Sequence, residues 1–249
     1  MYLILEHPRE GLVLYDTGYS SRFIEATRSF PERLYSLVTP VACAPEETAV
    51  AQLAALGYRP DDVRQVVISH FHADHISALA DFRKARFRCF RRAFETVRRR
   101  RRLHALCSGF LPALLPSDFE ARLDFVDESH QYTLPVDLSP FARGFSLFGD
   151  ESALAIPLDG HAHGQLGLLV QGSGGHRVFF VADACWLLDS LSAGRRPSPI
   201  THLLFDDPHA YHSTFDALRQ LHRSSSELLI VPSHCQQTLS NLMALPHFR

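Results

Sequence analysis

The chain has 249 residues, 46% of them hydrophobic, with a formal net charge of −2, which suits a globular protein and excludes a disordered or collagen-like one. No apolar stretch approaches the roughly 20 residues that span a bilayer, and the start MYLILEHPRE lacks a basic region followed by an apolar signal core, so a cytoplasmic protein with no membrane partner is expected. Five cysteines, an odd number with no CxxC pair, argue against a disulfide framework or a cysteine–zinc site.

In chain order, Leu3–Leu5 and Leu12–Tyr15 read as paired strands around the turn HPREG. Pro45–Leu56 has the helical spacing of Val50, Leu53, Ala54 and Leu56, with Gly57 as its stop. The apolar run Val66–Ser69 reads as a buried strand that ends at His70. There the chain places His70, His72, Asp74 and His75 within six residues. Neutral imidazole is a good ligand for zinc and its neighbours, and a carboxylate completes or bridges such sites. A polar loop would explain one histidine, but this spacing points to metal.

Between Arg83 and Arg102 stand eleven basic residues and one acid, Glu95, so this segment carries +10. The remainder, with 14 basic and 26 acidic residues, carries −12. Phe87, Phe90, Phe94 and Val97 recur at three or four residues, which predicts an amphipathic helix with an arginine-covered face. Arg98–Arg102 repel one another unless they pair with the acidic body or meet an anionic ligand. A phosphorylated substrate, a coenzyme A or carrier-protein thioester, and nucleic acid are the candidate ligands. The following GFLPALLP is broken by proline and cannot be one helix; Phe110 and Leu111 are expected to line a substrate pocket, a loop over the core being the alternative.

Three further apolar runs lead to ligand-type side chains. Ala153–Leu158 is followed by Asp159-Gly160 and His161, Val178–Ala182 by Asp183, and Leu228–Ser233 by His234. Tyr211–Leu221 reads as a helix before the last strand. Four strands therefore each deliver a ligand-type residue just beyond a C-terminal end, where rigid scaffolds carry sites. Cys185 and Cys235 stand near these residues; the reading as small buried apolar side chains is preferred to a reactive role. Neither a linker nor a fixed-period repeat divides the chain, so one domain over 1–249 is expected, with an Arg-rich, helical and lid-like insertion at about 83–121.

With HxHxDH at 70–75, Gly160-His161, Asp183 and His234 in this order, and LVLYDTG at 12–18, the chain resembles the metallo-β-lactamase superfamily over nearly its whole length. The resemblance implies an α+β fold, a four-layer αββα sandwich. It implies that His70, His72 and His161 bind one metal, that Asp74, His75 and His234 bind a second, and that Asp183 bridges the two. Asp16 would support the site from behind. Asp74 and Asp183 are the expected catalytic carboxylates, and the cofactors are two divalent transition-metal ions, Zn2+ first, with Fe or Mn open. The family has further strand residues before the position of Tyr2, so either the first sheet is shortened or the chain begins inside the natural domain.

The implied activity is hydrolysis of a small ester, thioester or lactone by a metal-bridging hydroxide, on an acyl substrate that is neutral or anionic. The acyl-homoserine-lactone lactonase branch carries a tyrosine three residues after the bridging aspartate, where this chain has Trp186, an indole with no hydroxyl to offer a leaving group. Trp186 is expected to stack on an apolar acyl chain instead. A glyoxalase-II-like thioesterase needs no such tyrosine, although its second motif differs from GHAHGQ. His163 is expected either to hold that loop or to donate a proton. Alternatives are a phosphodiesterase or nuclease of the same fold and a non-catalytic metal-bound ligand sensor. The lack of a separate nucleic-acid module argues against nucleic acid; a homodimer stays open.

Overall fold

The strands of this protein form two sheets, one in each of two compact units, Met1–Phe125 and Val126–Arg249. The computed structural model describes residues 1–172, 175–225 and 227–244.

The first unit holds β1 (Leu3–His7), β2 (Gly11–Tyr15), β3 (Val63–Val67), β4 (Arg86–Cys89) and β5 (Leu123–Phe125), adjacent in that order. β1 and β2 form the expected hairpin, with Leu3 opposite Tyr15 and His7 opposite Gly11. From β2 onward the pairs are parallel, and the apolar run that closes β3 and leads on to Ile68 is the part covered on both faces. Val66, Val67 and Ile68 are fully buried, each contributing about 1.5–3 kcal/mol of burial. The helix Ala49–Ala55 buries Ala49 and Leu53 in the same core. The Thr48 hydroxyl caps its start by accepting the Ala51 N–H at 3.3 Å, and Gly57 follows its end at φ 85°.

The amphipathic helix expected from Phe87 onward begins only at Arg91 and runs to Val97; Arg86–Cys89 is a strand. The reason lies in the tetrapeptide RFRC, which alternates with period two. Phe87 and Cys89 are fully buried, while Arg86 pairs with Asp124 and Arg88 donates to Gln65 Oε1 at 3.3 Å. Phe94 and Val97 keep the helical seam and pack into the same core.

The second unit holds β6 (Gln131–Thr133), β7 (Arg143–Ser146), β8 (Ala153–Pro157), β9 (Leu166–Gln171), β10 (Arg177–Ala182) and β11 (Leu228–Pro232), in the spatial order β11-β10-β9-β8-β7-β6. Among the described residues of this unit only the β10–β11 pair is parallel, and the helix Pro208–Ser224 lies in the connection between those strands. Asp207 caps this helix through the Ala210 N–H at 3.0 Å, and Pro208 occupies its first position, where no amide hydrogen is needed. Tyr211, Phe215, Leu218 and Leu221 form its buried stripe. Among the described residues no helix is long and apolar enough to cross a membrane.

Candidate metal centre

In the first unit the ligand-type residues of the HxHxDH motif follow β3, and Asp16 holds Ser69 and His75 from behind. Asp16 follows β2 at φ 59°, a conformation that aspartate tolerates better than most residues. Its carboxylate, 1% exposed, accepts the Ser69 N–H, the Ser69 hydroxyl and His75 Nδ1, each at 2.7 Å. A proton held on Nδ1 by a carboxylate leaves Nε2 of His75 as the donor nitrogen. Asp74 Oδ2 lies 3.3 Å from that nitrogen. His70 and His72 stand edge to face with ring centroids 4.5 Å apart, and each offers a ligand atom within 4.8 Å of the other's. Ser69 escaped the sequence reading as a participant; its only signal is its place at the head of the SHFHADH motif.

Gly109 shapes the position of His72. Its carbonyl accepts the Ala73 N–H at 3.0 Å, and a Cβ added to it would lie 2.8 Å from His72 Cδ2. Its φ of 69° already disfavours a side chain by about 1–2 kcal/mol. Gly109→Ala is expected to lose at least that much stability and to weaken metal binding about tenfold by turning the His72 ring. Thermal unfolding and a chelator-competition titration measure the two effects. Unchanged metal affinity would show that Gly109 serves packing alone.

In the second unit three strand ends supply the donors. Gly160 lies against the helix Pro208–Ser224, where an added Cβ would come 2.1 Å from the Tyr211 nitrogen. His161 follows it. The loop is held by the Asp207 N–H donating to Gly160 O at 3.0 Å, the Asp206 N–H to His161 O at 3.1 Å and the Thr214 hydroxyl to Asp159 O at 2.7 Å. β10 ends with a register shift between Phe180 and Ala182, and Ala182 has φ 47°, so the backbone turns sharply just before Asp183. The Ser233 N–H then donates to Ala182 O at 3.1 Å, which brings His234 beside Asp183.

One oxygen, Asp183 Oδ2, lies 3.4 Å from His161 Nε2 and 3.2 Å from His234 Nε2. Two donors each about 2.1 Å from a tetrahedral ion are themselves about 3.4 Å apart, so this spacing suits ligands of a shared coordination sphere. The donor set of imidazoles and carboxylates, with no thiolate, fits zinc, iron or manganese. His161 and Asp183 are buried, whereas the His234 side chain is 45% exposed and leaves that edge open to a substrate.

An aromatic wall stands beside His161. Trp186 meets it edge-on at 6.2 Å and Phe205 at 5.6 Å, and Phe205 stacks on Tyr211 at 4.0 Å. The place of Phe205 and Tyr211 beside the His161 loop escaped the sequence reading, in which Tyr211 only opened a helix, since THLLFDDPHAY carries no motif. The His163 N–H donates to Asp206 Oδ2 at 2.9 Å, which ties its backbone into the loop. Phe110 and Leu111, expected at a substrate pocket, lie in the core of the first unit, 2% and 1% exposed, with Phe110 edge-on to Phe71 at 6.2 Å. Their burial gives them a packing role. Cys185 is buried, and burial pushes its thiol up to about 12, as suits an inert side chain.

A model of the metallo-beta-lactamase superfamily matches residues 1–234. Over 84 residues, 34% of this chain, the sequence is 38% identical to the probable metallo-hydrolase Rv2300c of Mycobacterium tuberculosis, and the match spans 26% of that protein. The N-acyl homoserine lactonase AiiB of Agrobacterium fabrum is 27% identical over 243 residues, 94% of this chain and 79% of that protein. Among solved structures, a variant of Bacillus thuringiensis AiiA with N-decanoyl-L-homoserine bound at the active site shares the fold. Its TM-score is 0.68 at 18% identity, over 100% of this chain and 86% of that one.

Proposed function

Because this chain belongs to the metallo-β-lactamase superfamily, we propose that it is a metal-dependent hydrolase of a small acyl ester, thioester or lactone. His70, His72 and His161 would hold one ion, Asp74, His75 and His234 a second, and Asp183 both. The observation that carries this reading is the single Asp183 oxygen facing two imidazole nitrogens, His161 Nε2 and His234 Nε2. When bound, two divalent ions supply Lewis acidity toward an acyl oxygen and lower the pKa of a water molecule.

The side chains of this protein do the rest. Asp16 keeps the His75 ring in one tautomer and one orientation. The buried carboxylate of Asp183 balances positive charge at the site, and the exposed His234 edge admits the acyl group. Trp186 and Phe205 present an apolar face beside His161, which favours an acyl chain over a strongly polar one. An indole N–H can donate a hydrogen bond but has no hydroxyl proton to give an alkoxide. A leaving group that departs as a stable anion, such as a thiolate, therefore suits this wall better than a lactone alkoxide.

Trp186→Phe is expected to change KM across acyl chain lengths while leaving the best kcat within about an order of magnitude, and Trp186→Tyr to raise lactone turnover. Steady-state kinetics on an acyl series reads both. A thousandfold fall of kcat in the phenylalanine variant with metal retained would make Trp186 part of the chemistry.

The reading as a whole is tested by elemental analysis of protein purified without chelators, joined to a panel of an acyl-homoserine lactone, an acyl thioester and bis(p-nitrophenyl) phosphate. About two ions per chain and hydrolysis of the lactone or the thioester are expected. Turnover by metal-free protein would overturn it, and exclusive cleavage of the phosphodiester would move the chain to the phosphodiesterase reading.

A further inference from the structure

We propose that Arg99, Arg101 and Arg102 bind a phosphate or pyrophosphate group carried by the acyl substrate. The proposal rests on the hydrolase reading above and narrows its substrate class to phosphate-bearing acyl derivatives.

Arg98–Arg102 are five successive guanidiniums, and the structure separates them. Arg98 pairs with Glu120 at 3.2 Å and lies over the Phe94 ring at 5.5 Å, and Arg100 is half-buried. Arg99, Arg101 and Arg102 are exposed, and among the described residues none of the three has an ion-pair partner. Three cations within four residues repel one another unless an anion lies between them.

The backbone nevertheless holds them in a defined turn. The Arg100 N–H donates to Val97 O and the Leu106 N–H to Arg102 O, both at 2.9 Å, so the turn is fastened to the helix before it and the helix after it. Arg102 sits at φ 45°, ψ −117°, a conformation that disfavours a residue with a Cβ. Such an outlier held in place by its surroundings is a mark of a functional position. Guanidinium forks match phosphate oxygens in pairs, which lysines in the same places would not do as well.

The turn is also close to a donor residue of the same unit. From Arg102 the helix Leu103–Cys107 leads to Gly109, which packs on the His72 ring. At about 1.5 Å per helical residue, the Arg102 and Gly109 backbones lie within about 12 Å of each other. An acyl group at His72 and a phosphate at the turn thus fit within one small molecule. A long polyanion fits less well, because outside residues 83–102 the chain carries −12 and would repel phosphates running past this turn.

The test compares hexanoyl-coenzyme A with S-hexanoyl-pantetheine, which share a reacting thioester and differ in phosphates, and measures binding of desulfo-coenzyme A by calorimetry. At low salt the phosphorylated thioester should show a KM at least about tenfold below that of the neutral one, and the advantage should vanish near 0.5 M salt. The triple variant Arg99→Gln, Arg101→Gln, Arg102→Gln should remove that advantage, weaken desulfo-coenzyme A about tenfold or more, and leave melting temperature and metal content in place. If neither thioester is hydrolysed while desulfo-coenzyme A binds in an arginine- and salt-dependent way, the thioesterase reading fails and the phosphate site stands. Equal binding by wild type and triple variant overturns the proposal. So does a variant that melts lower and treats both thioesters alike, or arginine-dependent binding of a single-stranded oligonucleotide tighter than that of desulfo-coenzyme A.

Discussion

Asp183→Ala should lower turnover on the best substrate at least about a thousandfold, beyond the 10–100-fold typical of losing a partner that only orients a ligand. The expectation follows from the position of one carboxylate oxygen within 3.4 Å of His161 Nε2 and 3.2 Å of His234 Nε2. Alanine removes the carboxylate shared by both imidazoles. Metal content should fall with turnover, which elemental analysis reads directly. Asp183→Asn keeps the side-chain volume and one oxygen but removes the negative charge, so it should retain more stability than alanine while still losing metal. An alanine variant that keeps full metal content and activity would end the assignment of Asp183 as the shared ligand.

The second large effect is expected at Asp16, which need not touch a metal. Its carboxylate accepts three hydrogen bonds at 2.7 Å while almost wholly buried. Asp16→Asn tolerates φ 59°, because asparagine visits the left-handed region readily, so the substitution isolates the loss of charge from any loss of backbone fit. The new amide group must turn its N–H2 toward a Ser69 or His75 donor, and each charge-assisted bond lost costs about 1.5–3 kcal/mol. Metal affinity should fall about 10–100-fold as His75 loses its fixed tautomer. Asp16→Ala should be worse on both counts, since a plain Cβ residue adds about 1–2 kcal/mol of left-handed strain. Denaturant unfolding and metal titration test this pair. Native affinity in Asp16→Asn would mean that Ser69 alone orients the ring.

The parts of the fold that could be read from the sequence are those where one physical signal dominates. β10, β11 and the end of β3 are buried and appear as apolar runs, each followed by a ligand-type residue. The helix over 208–224 shows its stripe at Tyr211, Phe215, Leu218 and Leu221. β4 was hidden because two periods overlap in FRKARFRCFRRAF. Phenylalanines three and four apart suggest a helix, while the alternation of Arg86, Phe87, Arg88 and Cys89 makes a strand, and parallel pairing with β3 and β5 decides between them. β9 passed unnoticed for lack of a ligand at its end. Within the site, the donors stood out because imidazoles are costly to cluster without purpose. Gly109, Phe205 and Tyr211 did not, since their roles come from contacts with residues distant in the chain, which no local pattern encodes.

The fastening of the His161 loop to the start of the helix Pro208–Ser224 bears on how this region breathes. The Gly160 Cα occupies space beside the Tyr211 amide that no side chain could share, and the Asp206 and Asp207 amides both donate into the loop. Fraying of the first helical turn therefore releases the Gly160 and His161 carbonyls at the same moment. Loop and helix start make one cooperative opening unit, and their amide protons should exchange with solvent together. Helix termini normally fray first, and here the loop that carries His161 hangs on that terminus. The lifetime of the His161 loop in its closed arrangement thus depends on the cap at Asp207 and Pro208.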